Sequence, residues 1–159
     1  MLANTLEQLL EHMRVRAQLS PSVSERISIT RDIDLFSLAF YTMRRGFDLS
    51  CTLGSQVLQL PDSAGMIYNF QFGKTLRKSV DSVVVLADRD NHRLCAFRGV
   101  RAYLSAATSL GWDLEQGHLF PEIGQDGERL PHPVKPTKMR ENLVAHLGHA
   151  NLPTHFSMR

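Results

Sequence analysis

Leu35-Phe36-Ser37-Leu38-Ala39-Phe40-Tyr41-Thr42-Met43, then Arg44-Arg45-Gly46, then Phe47-Asp48-Leu49 is the stretch whose reading decides the fold. Extended back to Ile33, its apolar content is high on every side of a 3.6-residue period, which predicts a central helix buried all round. Thr30 or Asp32 starts this helix, and Gly46 ends it by supplying the left-handed C′ conformation that residues with a side chain resist. Phe47 to Leu53 restarts as a short helical turn closed by Gly54.

Downstream, Val57-Leu58-Gln59-Leu60 reads as a strand, Pro61 to Gly65 as a turn and Met66 to Phe72 as a second strand. The basic turn Gly73-Lys74-Thr75-Leu76-Arg77-Lys78 follows, and Ser79 to Leu86, with Val83-Val84-Val85 at its centre, is the third strand. Consecutive strands joined by short turns form an antiparallel meander, and three strands need helices to pack on. Asp88-Arg89-Asp90 is a polar break, and His92 to Leu110 has helical spacing, ending at Gly111-Trp112, where Trp112 plugs the core. His118 to Pro121 is extended, and Gly124 to Pro136, rich in Gly, Pro and charge, reads as a loop. Thr137 caps a last helix carrying Met139, Leu143, Val144 and Leu147, stopped by Asn151-Leu152-Pro153.

Upstream, Asn4 or Thr5 caps a first helix with Leu6, Leu9, Leu10, Met13 and Ala17 on one face. Arg14 and Arg16 fall near its end, where cations suit the helix dipole. Ser20-Pro21-Ser22 closes it, and Ser22 to Ile29 is a connector of no clear period. The fold class is α+β, mainly helical with one three-stranded antiparallel sheet, in a single domain over residues 1–159 whose residues 1–24 are a leading helix and connector.

At 159 residues, with 43% hydrophobic and 21% charged content, the chain has the composition of an ordinary globular domain, which excludes disorder as the default. A formal charge of +2 and seven histidines permit an anionic partner such as nucleic acid without demanding one. Cys51 and Cys95 match no zinc or disulfide spacing and read as small core residues in a reducing compartment. No apolar run approaches the roughly 20 residues that span a bilayer, so a soluble, intracellular protein without a membrane partner is expected. His146 and His149 sit three apart with His155 near, but no cysteine or carboxylate cluster accompanies them, so neither a metal nor a cofactor is expected.

Thr42-Met43-Arg44-Arg45-Gly46-Phe47-Asp48-Leu49 resembles the first box of the tyrosine recombinases, the phage-integrase family, whose pattern is Thr-Gly-x-Arg-x-x-Glu/Asp-Leu after an apolar helix. Arg45, Asp48 and Leu49 fall on its arginine, acid and leucine, and Met43 stands where the pattern has glycine. The family also has a three-stranded sheet with a lysine between strands two and three, the place of Lys74 in Gly73-Lys74-Thr75. Leu119-Phe120-Pro121 resembles a further landmark. The wording is most similar to the DIRS-like and Crypton-like recombinases of eukaryotic mobile elements, which implies a nuclear location if the source is eukaryotic. The match covers about residues 30 to 159. The family's His-x-x-Arg box and its nucleophilic tyrosine have no counterpart here: His155 and Arg159 are separated by three residues, and Tyr41, Tyr68 and Tyr103 lie upstream.

The resemblance implies a C-terminally incomplete catalytic domain that handles a phosphodiester of double-stranded DNA. A permanently charged planar guanidinium suits the negative charge that builds on the phosphate oxygens, hence Arg45. A lysine able to give up its proton suits the leaving oxygen, hence Lys74 as general acid with Lys78 as its rival. Asp48 would hold Arg45 in position. Arg44, Arg77 and Lys78 would contact DNA. With the second arginine, the histidine and the tyrosine missing, these groups could hold a phosphate without completing strand transfer. The alternatives are an interaction module, self-associating through the incomplete C-terminal face, or a mobile-element remnant with no selected activity.

Overall fold

The computed structural model describes residues 3–71, 80–88 and 90–154. Its central element is α2 (Val23–Thr42), packed against α1 (Ala3–Leu19), α4 (Ala96–Ser109) and α5 (Pro136–His149). Every residue from Arg31 to Leu38 is buried, as the all-round apolar run predicts. The helix begins earlier than its apolar period suggests. Ser22 is the N-cap, its hydroxyl accepting from the Glu25 amide at 3.2 Å. Residues 23–29 are therefore helix and not a connector, and Ser22-Val23-Ser24-Glu25 carries the spacing of a capping box. The stop also differs from expectation. Met43, not Gly46, takes the left-handed position (φ 51°, ψ 25°), while Gly46 opens the next helix, α3 (Gly46–Ser50).

β1 (Val57–Gln59), β2 (Gly65–Phe70) and β3 (Asp81–Leu86) form the expected antiparallel meander in the order β1-β2-β3. The register pairs Leu58 with Ile67 and Ile67 with Val84, and Phe70 faces Asp81 at the far end. The period of two sends Met66, Tyr68 and Phe70 into the core, where the last two stack with ring centroids 6.1 Å apart. Leu58, Val84 and Leu86 face outward and are exposed. Gly54 fits a close approach, since a Cβ there would stand 1.9 Å from the Leu114 carbonyl oxygen.

α4 starts at Ala96, later than its apolar spacing suggests, because Asn91 Oδ1 takes the Arg93 and Leu94 amides into a local turn. Trp112 is half-buried against the core. The stretch Gly124 to Pro136 is not a loop throughout. β4 (Pro121–Ile123) and β5 (Arg129–Pro133) pair as a two-stranded antiparallel sheet, so the fold has a second sheet beyond the one the sequence indicates. Proline at both strand ends hides that pairing from a reading by composition. α5 starts at Pro136 after an N-cap at Lys135, two residues before the expected cap at Thr137. Among the described residues no helix is long and apolar enough to cross a membrane.

Asp34 is fully buried on α2, and neither carboxylate oxygen has a hydrogen-bond partner among the described residues. Burial alone pushes its pKa well above the ordinary carboxylate value, so the folded protein holds it as the neutral acid. Nearby Tyr68, also buried and with no hydroxyl partner among the described residues, has its pKa pushed up by burial. Because the folded pKa lies above the unfolded value of about 3.9, stability falls as pH rises out of that range. Asp34→Asn removes the titration, so its stability advantage over the parent should grow above pH ~4 by up to about 1.4 kcal/mol per pH unit. Denaturant midpoints of both proteins at several pH values measure this, and an advantage independent of pH would show that Asp34 is not held neutral.

Candidate functional site

The α2–α3 connection, Met43-Arg44-Arg45, sorts two adjacent arginines to opposite fates. With Met43 left-handed, Arg44 folds inward against the end of the sheet, pairing with Asp81 and placing its guanidinium 4.9 Å from the Phe70 ring centroid. Phe70 and Asp81 are partners in the β2–β3 register and flank residues 72–79 in the chain. Arg45 is extended (φ −73°, ψ 150°), serves as the N-cap of α3 without a side-chain capping bond, and is exposed. It makes no ion pair among the described residues. Met43 and Phe47, on either side of it in sequence, are 79% and 61% exposed, so the loop presents apolar surface around a free guanidinium.

α3 is locked from below. Ser50 Oγ donates to the Val134 carbonyl at 2.9 Å, and Thr52 Oγ1 donates to the Asp48 carbonyl at 3.1 Å. Gly46 lies against α5, a Cβ built on it falling 3.5 Å from both Pro136 Cβ and Met139 Sδ. Asp48 is buried in the first turn of α3, where a carboxylate suits the helix dipole. It makes no ion pair with Arg45, so the expectation that it positions that guanidinium is not met. The Cys51 thiol is pushed up by burial and by Asp48. Arg44, expected on DNA, is instead occupied within the fold. Lys74, Arg77 and Lys78 lie outside the described residues.

A second cluster was missed in the sequence. The Asp32 carboxylate, buried on α2, accepts from Arg31 Nε and Nη2 at 3.0 and 2.7 Å, from Asn142 Nδ2 at 2.9 Å and from His146 Nε2 at 3.2 Å. Arg31 Nη1 donates to the Pro121 carbonyl at 2.9 Å. Arg16 donates to Glu25 Oε1 at 2.7 Å and lies 3.4 Å from His146 Nδ1, which places the proton of a neutral His146 on Nε2. Burial opposes the Asp32 charge, but the Arg31 guanidinium and the hydrogen bonds from His146 and Arg31 outweigh it and hold the pKa below the ordinary value. Arg16 therefore does more than answer a helix dipole. The only sequence signal was the odd presence of Arg31-Asp32 at the head of an apolar run.

This network forms one wall of a cleft of about 620 Å³ that also meets Lys135, Lys138 and Glu122. The imidazole's second nitrogen faces a guanidinium, so it has no free lone pair with which to take a substrate proton. The cluster is built to hold helices together. Among the described residues no group of three His, Cys, Asp or Glu side chains is placed to hold a metal ion. Tyr68 and Tyr103 are fully buried, with burial raising both hydroxyl pKa values, and the Tyr103 hydroxyl donates to the Leu119 carbonyl at 2.8 Å. Neither can reach a DNA phosphorus. No protein-family model matches the chain, and no curated protein matches its sequence.

Two stability measurements check these assignments. Met43→Gly relieves a side chain in left-handed backbone and should raise stability by about 0.5–1 kcal/mol in a denaturant titration; a loss would mean that Met43 packs in a way its exposure hides. Asp32→Ala leaves Arg31 buried without its partner and should cost about 3–5 kcal/mol. In the parent this stabilisation is complete above pH ~4 and is lost as pH falls through the depressed folded value.

Proposed function

We propose that the chain binds the backbone of duplex DNA through Arg45, as a tyrosine-recombinase-like domain that does not by itself perform strand transfer. The observation that carries this reading is the exposed guanidinium of Arg45, without an ion pair among the described residues, on a loop tied by Arg44 to Phe70 and Asp81, the residues flanking the segment that contains Lys74. Two further features support it. Met43, at the position where the family pattern has glycine, is in left-handed backbone, the conformation for which glycine is the natural choice. A three-stranded antiparallel meander follows the loop, in the element order the resemblance implies. In this reading Arg45 neutralises a non-bridging phosphate oxygen, and Lys74 acts as the proton donor to a leaving oxygen only in the presence of a nucleophile supplied from elsewhere.

A second reading, an interaction module, is favoured by the exposed apolar row Leu58, Val84 and Leu86 on the outer face of the sheet. Mass that rises with concentration in sedimentation, in a protein without DNA affinity, would decide for it.

Duplex affinity measured against salt tests the first reading. Binding should weaken steeply with salt, and Arg45→Gln should lower the slope of log K against log salt by about 1. No affinity even at low salt would overturn the reading, and a covalent protein–DNA adduct on a denaturing gel would overturn the claim that the chain is inert alone.

A further inference from the structure

We infer that the seam between α1 and α5 is a pH-sensitive joint, in which protonation of His12, His146 and His149 loosens α1 from α5 while Asp32 keeps α5 on α2. The joint stands whether or not the chain binds DNA. His12 and Arg16 lie four residues apart on one face of α1, and His146 and His149 lie three apart on α5. Arg16 Nη1 stands 3.4 Å from His146 Nδ1 and links the two helices. The two nitrogens of His146 answer acid differently. Nε2 donates to Asp32 at 3.2 Å and goes on donating when the ring is charged, so the tie to α2 gains an ion pair. Nδ1 accepts from Arg16 only while it is unprotonated. A proton there removes the acceptor and sets an imidazolium against a guanidinium.

His12 makes the joint sensitive in the same direction. It is half-buried, and its Nε2 is enclosed without a hydrogen-bond partner among the described residues. Burial, then the neighbouring Arg16, His149 and His146, hold its pKa below the ordinary histidine value. The acids at the seam, Glu25 and Asp32 of α2, are both engaged. Glu25, which His149 also approaches, takes Arg16 at 2.7 Å and the Ser20 hydroxyl, and Asp32 takes Arg31, Asn142 and His146. The Ser20 hydrogen bond and Arg16 hold Glu25 below the ordinary carboxylate value against the effect of burial, so its charge is constant while histidines titrate. The unfolded chain takes up the His12 proton near pH 6.5, and the folded chain takes it up only at lower pH. The stability that neutral His12 contributes is therefore complete above about pH 6.5 and is lost as pH falls toward the folded value.

Denaturant midpoints of the parent, His12→Gln and His92→Gln between about pH 7.5 and 5 test this. Asp34 and His118 titrate alike in all three and cancel in the differences. Relative to His12→Gln, the parent's unfolding constant should rise by up to about ten-fold per pH unit below pH ~6.5, while the variant at exposed His92 follows the parent. A difference that does not change with pH overturns the inference, as does a His92→Gln that behaves like His12→Gln. Hydrogen exchange of the parent, corrected for intrinsic rates, locates the change. Residues 146–150 should open several-fold over the same fall in pH while β2 stays closed, and equal opening of both overturns the joint. NMR titration of the parent reads His12 without any variant, and should place it below the ordinary value of 6.5 and move it up toward that value in Arg16→Gln. Titration at or above 6.5 in the parent, or no rise in Arg16→Gln, overturns the inference.

Discussion

The carboxylate of Asp32 is the contact on which the arrangement depends. It sits on the one helix that touches most of the others, and it gathers donors from α2 itself and from α5, while Arg31 carries the connection on to the Pro121 carbonyl at the start of β4. A charge this deep is stable only while its donors remain in place. The requirement therefore works as a geometric constraint, fixing α5 against α2 in one register. Asp34, two residues on and equally buried, shows the alternative: without donors, the same chemical group gives up its charge.

From that register the exposed loop follows. With α5 held on α2, its first turn meets the first residue of α3, and the Ser50 bond to Val134 closes the same joint from the other side. The α2–α3 connection is then short and strained at Met43, and one of its two arginines turns inward. Arg44 is drawn in because the sheet end offers both an acid and an aromatic face. Arg45 stays exposed and forms no ion pair among the described residues.

The buried helix, the three-strand meander and the last helix were legible because their apolar periods are strong and their turns are marked by Gly and Pro. Boundaries were less legible where a single side chain decides them. Ser22 extends α2 by a hydrogen bond that hydrophobicity does not report, and Asn91 delays α4 in the same way. The β4–β5 pair escaped because proline-bounded strands of three and five residues look like loop. The Asp32 cluster was invisible for a different reason: its members are separated by up to 130 residues, so only the tertiary fold brings them together. Asp48 was misjudged because the spacing that puts it one turn from Arg45 says nothing about which of them turns inward.

That last failure bears on what a motif match can establish. The pattern selects Arg45 over Arg44 by counting from Thr42, and counting has no knowledge of partners. Arg44 has its charge matched by Asp81, and Arg45 forms no ion pair among the described residues. Nothing in the spacing requires Asp81 to stand where it does. An exposed guanidinium beside exposed Met43 and Phe47 is a surface feature, whereas breaking a phosphodiester needs a nucleophile, and Tyr68 and Tyr103 are fully enclosed in the fold.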